Sequence, residues 1–209
     1  MYVRDAKNRD EVWLLDHIEA MGLDETAFRS RDYVVAVDED STDRAGFGRI
    51  RVHKTGATER TPTGRDTGDR GDVCELTSIG VLDGWRGQGV GAHVVERLCQ
   101  HAADEGFDVG YALTDQPAYL RQFGFDRIES GALPEVLAAR LDEKREGVAP
   151  EAVPMAVETG AVRMPERLRE RFKRATERDP EGADDPDPDE AAEEFGIDPD
   201  SATYKYDTG

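Results

Sequence analysis

The sequence predicts a single mixed α/β domain over residues 1–158, in which helices flank a central β-sheet. Short runs rich in β-branched residues predict strands, and longer runs with apolar residues on one helical face predict helices. The first strands are separated by only a short polar turn, which favours antiparallel pairing, whereas the later strands alternate with helices. About 150 residues bury enough apolar surface to fold alone.

The first half of the chain begins with an edge strand and a helix. An aspartate precedes each predicted helix as an N-cap, and Gly22 ends the first helix. The predicted elements are an edge strand over Met1–Arg4, a helix over 11–18 after Asp10, a short helix over Glu25–Ser30 after Asp24, and strands over Tyr33–Val37, Ala45–Val52 and Val73–Val81. Residues 53–72 are rich in Gly, Thr, Arg and Asp without periodicity, so they predict a mobile hairpin loop.

In the second half, glycine and proline mark the ends of the elements. Gly106 and Gly124 end helices, and Pro117 lies in a first helical turn. The predicted elements are a helix over Ala92–Glu105, a strand over Val109–Leu113, a short helix over Ala118–Phe123, a strand over Phe125–Glu129, a helix over Leu133–Glu146 and a strand over Ala152–Glu158.

The C-terminal part differs in composition from the domain. Residues 159–178 predict a charged helix that begins near Pro165. Residues 179–209 carry twelve acidic residues and one basic residue. Such a segment cannot bury enough apolar surface to order itself, so it predicts a disordered acidic tail.

The formal net charge is −19, and only five of the 27 basic residues are lysine. This balance is typical of proteins from salt-loving microbes, where molar salt shortens the Debye length to about 3 Å and quenches self-repulsion. The alternative is an acidic protein from an ordinary organism. Both readings argue against nucleic acid and anionic membranes as partners, because these need clustered Lys and Arg.

The cysteines and histidines show no metal-type spacing, so no metal site is predicted. Cys74 and Cys99 lie in apolar surroundings and are expected to be small buried hydrophobes. The four histidines are expected on the surface: His17, His53, His93 and His101. The N-terminus has no apolar signal region and no run is long enough to span a membrane, which predicts a cytoplasmic protein.

A glycine-rich turn links the strand over Val73–Val81 to the helix that follows it. The turn reads Arg86-Gly87-Gln88-Gly89-Val90-Gly91. A turn of this kind leaves backbone N–H groups without intrahelical partners at the positive end of the helix dipole. It therefore suits phosphate or pyrophosphate, which the backbone approaches closely because glycine has no Cβ. The alternative is a tight strand-to-helix turn without a ligand.

The strand and turn resemble the signature of the GNAT superfamily, the acetyl-CoA-dependent N-acyltransferases. Its pattern is Gln/Arg-x-x-Gly-x-Gly/Ala after a strand, which Arg86, Gly89 and Gly91 fill. Residues 47–49 resemble its third strand, and residues 119–125 resemble its helix that ends in Gly-Phe. The resemblance spans roughly residues 1–130 and extends more weakly to 158. It implies a mostly antiparallel sheet with one splayed parallel strand pair, flanked by helices.

The resemblance also implies acetyl-CoA as co-substrate and assigns the residues that bind it. The pyrophosphate would be held by the turn, through Gly87 and the amides around Gln88, Gly89, Val90, Gly91 and Ala92. The pantetheine arm would pair like an added strand with the backbone of Ile79, Gly80 and Val81, and an N–H near Ile79 would polarise the thioester. Arg86 either contacts phosphate or anchors the turn.

Acetyl transfer to nitrogen requires a neutral amine, and free alkylamines are mostly protonated at neutral pH. A carboxylate in a partly buried strand takes up the proton, directly or through water, because desolvation raises its pKa. Glu75, at the start of the strand leading to the turn, is the candidate base or a ligand of the acceptor amine; the alternative is a solvated strand-end acid. Asp115 and Gln116, after the next strand, are weaker candidates for contacts to the acceptor.

A proton donor for the departing thiolate is the second catalytic role. The superfamily often places Tyr four residues before the Gly of Gly-Phe, but here Leu120 occupies that position and Tyr119 precedes it. One residue turns a helical side chain by about 100°. Tyr119 is therefore either the acid or an aromatic in the core beneath the sheet, and a thiol of pKa about 8.5 can leave without a dedicated acid.

The expected acceptor is the primary amine of a small molecule, which attacks directly in a ternary complex. Residues 112–114 and 133–134 faintly resemble amino-acid acetyltransferases of the N-acetylglutamate synthase type. The alternatives are a non-catalytic acyl-CoA-binding sensor, a dinucleotide-binding oxidoreductase and an interaction protein that uses its acidic tail. The oxidoreductase fingerprint needs its third glycine two places later. A homodimer, with residues 133–178 against a second subunit, also stays open.

Overall fold

The computed structural model describes residues 1–54, 71–147 and 149–178 of the chain. The predicted loop over 53–72 lies outside the described residues except at its ends, where His53 belongs to a strand. The predicted acidic tail over 179–209 lies wholly outside them.

The described residues form strands and helices close to the predicted ones. The strands are β1 (Tyr2–Asp5), β2 (Tyr33–Val37), β3 (Arg44–His53), β4 (Val73–Val81), β5 (Val109–Thr114), β6 (Asp126–Arg127) and β7 (Val153–Glu158). The helices are α1 (Glu11–Ala20), α2 (Val90–Asp104), α3 (Pro117–Arg121), α4 (Glu135–Glu146) and α5 (Glu166–Lys173). None of these helices has the length and apolar character needed to cross a membrane.

All seven strands belong to one mixed sheet, in the order β1-β2-β3-β4-β5-β7-β6. Every neighbouring pair is antiparallel except β4 and β5, which are parallel. The connection between these two strands contains α2, as parallel neighbours require a crossover. The predicted mixed α/β fold, mostly antiparallel with one parallel pair, is confirmed.

Apolar side chains bury both faces of the sheet, but not to the same extent. On one face, α2 packs against the strands with Val94, Val95 and Leu98, and α5 packs beside it. Cys74 and Cys99 are buried in this layer, as expected, and burial raises the pKa of the Cys99 thiol to about 12.

The opposite face carries two separate apolar clusters, one under α1 and one under α4. The first involves β2 and β3, and the second involves β5, so β4 lies between them in the sheet. Here the sheet presents buried polar side chains, among them Arg49, Glu75 and Thr77. The middle of this face is therefore polar and enclosed.

Asp10 does not cap α1, contrary to the prediction. Its carboxylate binds Arg4 at 2.7 Å and 3.1 Å, Arg44 at 2.8 Å and the N–H of Lys7 at 2.8 Å. The predicted cap assumed that the nearest orphan donors lie in the helix that follows. Two guanidinium groups from β1 and β3 bind the fully buried carboxylate instead, which joins the start of α1 to the sheet.

The predicted helix over Glu25–Ser30 is absent from the described residues at that position. An Asx turn forms there, in which the N–H of Thr26 donates to Asp24 Oδ1 at 2.9 Å. The carbonyls of Asp24 and Thr26 accept bonds from Ser78 and Arg49 of the sheet, so they are not available to a helix. The helix predicted over Ala92–Glu105 is present as α2. It begins at Val90, two residues before the predicted start.

Candidate functional site

β4 and β5 separate shortly after they pair. Their parallel register covers only Cys74–Leu76 against Gly110–Ala112, although β4 continues to Val81. Among the described residues, the β5-facing edge of residues 77–81 therefore has no strand partner. This edge includes Ile79, Gly80 and Val81, where the sequence predicts an extended ligand. Unpaired N–H and C=O groups of this kind can bind an extended ligand as an added strand.

A β-bulge in β4 marks the point of separation. Phe47 pairs with Gly80 and Arg49 pairs with Thr77, so β4 has one extra residue in this interval. Ser78 adopts a φ of +49°, which is uncommon for a residue with a side chain. Its hydroxyl donates to the carbonyl oxygen of Asp24 at 2.8 Å and holds the bulge in place. A bulge bends its strand, and here it directs the end of β4 away from β5.

The glycine-rich turn ends in the first turn of α2. Gly87 and Gly89 have φ values of +70° and +78°, which suit residues without a Cβ. The N–H of His93 donates to Gly89 at 3.2 Å. Within the part of the chain that the structure describes, the amides of Val90, Gly91 and Ala92 have no backbone acceptor. The fit to a diphosphate is good, because these amides converge at the positive end of a 15-residue helix.

Arg86 and Gln88 have different surroundings in this turn. The Arg86 side chain is 63% exposed, forms an ion pair with Asp83 at 3.0 Å and donates to Val81 O at 3.4 Å. It anchors the turn and remains accessible to solvent. The side chain of Gln88 is buried and donates to Gly84 O at 3.1 Å. Only its backbone is therefore suited to the predicted cofactor contact.

Tyr119 of α3 packs against the edge of the core, and its hydroxyl lies near the start of α2. A Cβ added to Gly91 would come within 2.9 Å of its hydroxyl oxygen. Its half-buried ring packs edge to face against Phe123, with centroids 5.2 Å apart. Leu120 is buried in the core, so the one-residue shift turns the tyrosine towards the glycine-rich turn. Its role as general acid stays a prediction.

Glu75 is fully buried and surrounded by cations. Its Oε2 binds His53 Nε2 at 2.9 Å and Arg140 Nε at 2.6 Å, and its Oε1 lies 3.4 Å from Lys144 Nζ. An ionised carboxylate only accepts hydrogen bonds, so Nε2 of His53 is the donor. The arrangement is that of an enclosed anion, not of a solvated strand-end acid.

The pKa of Glu75 moves in the direction opposite to the prediction. Burial raises it, but the hydrogen bond from His53 and the charges of Lys144 and Arg140 outweigh burial, so the pKa is lower than usual. The predicted upward shift is wrong because it considered burial without these cations. Glu75 stays ionised at neutral pH and is a weaker base than expected. Its role as the base stays a prediction.

We call the residues around Glu75 the polar strip. Its members come from the α1–β2 loop, β3, β4 and α4: Asp24, Arg49, Arg51, His53, Glu75, Thr77, Arg140 and Lys144. Arg51 and Arg140 both pair with Asp24, and Arg140 bridges it to Glu75. The strip holds four cationic side chains and two carboxylates, so it is locally positive in a strongly acidic chain.

Arg49 is the most enclosed cation of the strip. It is 1% exposed, and its two terminal nitrogens donate to Tyr33 Oη at 3.2 Å and Thr26 O at 2.8 Å. Its Nε has no hydrogen-bond partner, and neither has Oε1 of Glu75. Buried polar atoms without hydrogen bonds are costly, and the ion pair of Oε1 with Lys144 offsets part of this cost for Glu75.

Two histidines lie in places that the sequence did not indicate. His53 is buried and binds Glu75, and the ring of His93 stacks on Phe172 with centroids 3.8 Å apart. The expected surface location is therefore wrong for His53 and only partly right for His93. His53 and Glu75 are 22 residues apart, so no local motif could have connected them.

Other candidate groups lie away from the polar strip. Asp115 and Gln116 are exposed after β5, where the N–H of Gln116 binds Thr114 Oγ1 at 2.9 Å. No cluster of His, Cys, Asp and Glu suitable for a metal ion occurs in residues 1–54, 71–147 or 149–178. The sequence does not single out Arg140 and Lys144 of the polar strip, because α4 has the composition of an ordinary charged surface helix.

The profile of the acetyltransferase (GNAT) family matches residues 3–125 of the chain. No curated protein matches it. Several solved structures are similar to the chain. N-acetylglutamate synthase from Neisseria gonorrhoeae, complexed with coenzyme A and N-acetyl-glutamate, has a TM-score of 0.54 at 14% identity. The match covers 75% of this chain and only 34% of that one.

Two further structures are similar over most of their own length. Rv2747 from Mycobacterium tuberculosis, in complex with CoA and NLQ, is 17% identical with a TM-score of 0.53, over 76% of this chain and 99% of that one. A putative arylalkylamine N-acetyltransferase 7 from the mosquito Aedes aegypti is 13% identical with a TM-score of 0.52, over 75% and 86%. At these identities the likeness shows a shared fold.

Proposed function

The chain belongs to the acetyltransferase (GNAT) family, and we propose that it moves the acetyl group of acetyl-CoA to the α-amino group of a small acceptor that carries a carboxylate, such as an amino acid. The attack is direct, in a ternary complex. The observation that carries this proposal is the enclosed, locally positive polar strip beside the gap between β4 and β5.

Acetyl-CoA, the co-substrate of the family, supplies an activated acetyl group as a thioester. The amides of Val90–Ala92 suit its diphosphate, and the open edge of β4 over residues 79–81 suits its pantetheine arm. An arm that follows this edge from the turn brings the thioester towards the bulge at Ser78. The polar strip begins there, so donor and acceptor sites adjoin.

The charge of the polar strip supports an acceptor with a carboxylate. Its surplus of cations attracts an anion, whereas the chain as a whole, at −19, repels one. Arginine guanidinium groups match carboxylates through two parallel hydrogen bonds. Arg49 and Arg51 are on the strand next to β4, so they lie within the site rather than on the outer surface.

Glu75 supports an acceptor with an amine, because an ionised carboxylate attracts an ammonium group. The amine of a free amino acid, like that of a lysine side chain, is mostly protonated at physiological pH, so it must lose a proton before it attacks. Polyamines, which carry several positive charges, would be repelled by the surplus cations of the strip.

The transfer step needs three further contributions from the chain. Glu75 or a neighbouring water takes the proton from the amine as its nitrogen bonds to the carbonyl carbon. A backbone N–H near Ile79 polarises the carbonyl oxygen. Tyr119 gives a proton to the sulfur when the carbon–sulfur bond breaks, and solvent replaces that proton.

A thiol-release assay tests the proposal. The full chain is incubated with acetyl-CoA and a panel of amino acids, polyamines and peptides in about 2 M KCl, where the self-repulsion of the chain is screened. We expect release with α-amino acids and at least about tenfold less with polyamines. Faster release with polyamines overturns the carboxylate acceptor.

Binding of acetyl-CoA without thiol release on any acceptor favours the alternative function, an acyl-CoA sensor. Glu75→Gln distinguishes the two further, since an enzyme that uses this carboxylate loses turnover. Unchanged turnover in the variant means that another group accepts the proton.

A further inference from the structure

The segment around α5 is basic, in contrast to the rest of the chain. Residues 163–178 contain seven basic residues and three acidic ones, a net charge of +4 within a chain of −19. The basic residues are Arg163, Arg167, Arg169, Arg171, Lys173, Arg174 and Arg178. The segment lies outside residues 3–125, which the family profile covers.

α5 packs directly against the glycine-rich turn. A Cβ at Gly89 would overlap the carbonyl oxygen of Leu168, so the backbones of turn and helix touch. The ring of Phe172 stacks on His93 in the first turns of α2, with planes 11° apart. Beyond α5, the N–H of Arg178 donates to Gly84 O at 2.9 Å. The basic segment is thus fixed beside the amides that suit a diphosphate.

Arg171 is a cation of α5 that contacts the turn. Its Nη1 donates to the carbonyl oxygen of Gly87 at 3.4 Å. Gly87 lies in the turn just before the amides of Val90–Ala92, which begin α2. The guanidinium therefore lies next to the turn that suits the diphosphate. A guanidinium offers donors in a fixed fork that matches phosphate oxygens.

The negative charge of the rest of the chain makes a cation at this position favourable for binding an anion. A diphosphate is anionic, and residues outside 163–178 carry a net charge of −23. Backbone amides and a helix dipole contribute only partial positive charge. At about 0.1 M salt the Debye length is about 10 Å, so a cation adjoining the turn acts on the ligand with little screening.

We infer that Arg171 of α5 is a binding residue for the diphosphate of coenzyme A, so that a helix outside the family's common region completes the cofactor site. This inference rests on the proposed function only in taking acetyl-CoA as the donor. It assigns α5 a part in ligand binding and not merely in packing.

Calorimetry on the full chain tests the inference without turnover. The ligands are coenzyme A, 3′-dephospho-coenzyme A and pantetheine, in about 0.1 M and about 2 M KCl. The variants are Arg171→Gln, Arg171→Lys and, as a matched control, Lys173→Gln. Lys173 is on the same helix, 64% exposed and paired with Glu170. Lys173→Gln therefore removes the same charge from α5 as Arg171→Gln does.

We expect Arg171→Gln to weaken coenzyme A and 3′-dephospho-coenzyme A alike, by about tenfold or more at low salt and less at high salt. Arg171→Lys retains part of the affinity, because it keeps the charge and loses the fork. Lys173→Gln changes affinity by less than about twofold. Pantetheine, which has no phosphate, binds equally to every form.

Several results would overturn the inference. Equal affinities of Arg171→Gln and Lys173→Gln for coenzyme A do so while the proposed function stands. A loss confined to coenzyme A would place Arg171 at the 3′-phosphate instead, and tighter binding in Arg171→Gln would mean that α5 competes with the ligand. Absence of binding to the unaltered chain removes the proposed function as well. Melting curves identify a variant that fails to fold, and Arg171→Lys then carries the comparison.

Discussion

Gln88 binds the backbone of Thr176 through both ends of its side-chain amide. Its Nε2 donates to Thr176 O at 2.9 Å, and the N–H of Thr176 donates to its Oε1 at 3.1 Å. The side chain thus pairs with a distant segment as a neighbouring strand would. It joins the glycine-rich turn to the residues after α5, which lie 88 positions further along the chain.

We predict that Gln88→Ala releases the segment after α5. Three hydrogen bonds of about 1 kcal/mol each are lost, two to Thr176 and one to Gly84 O, so the free energy of unfolding falls by about 3 kcal/mol. Limited proteolysis should then cut beyond residue 173 before the rest of the chain. Gln122→Ala, which removes an exposed bond to Arg167 of α5, is the control. Equal protease resistance of the two variants would contradict the prediction.

Gly89→Ala should separate α5 from the turn. The residue has a φ of +78° and its Cβ would overlap the backbone of Leu168, so strain of about 1–2 kcal/mol is joined by a collision that neither backbone can easily avoid. Gly22→Ala is the matched control, since it has a φ of +62° and nothing within 4 Å. Thermal melting should show a clearly larger loss for Gly89→Ala, and equal losses would refute the collision.

Gly89→Glu should abolish binding of acetyl-CoA, because its side chain collides with the backbone of α5 and adds a negative charge beside the amides that suit the diphosphate. Calorimetry measures this directly. Retained affinity would reject the glycine-rich turn as the phosphate site, whatever the effect of the variant on stability.

Tyr119→Phe tests the proton donor. Removal of the hydroxyl should lower kcat by about tenfold near pH 7, and by less as the pH approaches about 8.5, where a thiolate leaves without help. The Kd of acetyl-CoA should not change. Tyr2→Phe, at the exposed edge of the sheet, is the control. A kcat that is unaltered at every pH would exclude Tyr119 as the acid.

Arg51→Gln tests the carboxylate acceptor. Asp24 keeps Arg140 as a partner, so the fold should persist while the polar strip loses one positive charge. The KM for an amino-acid acceptor should rise by about tenfold, with an unchanged Kd for acetyl-CoA. Arg31→Gln, a 78% exposed surface residue, should leave both values unchanged. An unaltered KM in Arg51→Gln would contradict acceptor binding in the strip.

The stability of the protein should decrease in acid, below about pH 4. Burial raises the pKa values of Asp10, Asp24 and Glu75, but other interactions outweigh it and hold them below their ordinary values. The largest of these are the hydrogen bonds from Arg4 to Asp10, from Thr26 to Asp24 and from His53 to Glu75, and neighbouring cations add to them. The unfolded chain therefore binds more protons than the native one, so the free energy of unfolding is highest above about pH 4–5 and falls as these groups protonate.

Asp10→Asn is the variant that checks this pH dependence. It leaves Arg4 and Arg44 without their buried anion, so about 3 kcal/mol should be lost at pH 7 and progressively less in acid. Urea unfolding at several pH values measures both effects. A loss that is the same at every pH would show that the carboxylate's charge does not matter.

The fold could be predicted because its signals are local. Runs such as Tyr33–Val37 and the stripe of α2 reveal strand and helix within a few residues, and the glycine-rich turn reveals its own shape. The surroundings of Glu75 could not be predicted in this way. Its partners Arg140 and Lys144 are brought to it by the packing of α4, and Arg140 is 65 positions away.

The docking of α5 was likewise hidden by its composition. Its charged residues indicate a solvated helix, and only Leu168 and Phe172 reveal the buried side. Contact with the turn depends on Gly89, because a side chain there would collide with α5. In the sequence, a glycine at this position indicates a tight turn and does not indicate that another helix packs against it.

The short parallel register of β4 and β5 has a consequence for the energetics of the whole molecule. Only three residues of each strand are paired between β4 and β5, in the middle of the sheet and beside the proposed substrate site. A compound that supplies the missing amide and carbonyl partners along β4 binds only the native chain, so it raises the melting temperature in proportion to the logarithm of its concentration. Ligand binding in the gap and the free energy of unfolding of the sheet are therefore thermodynamically linked.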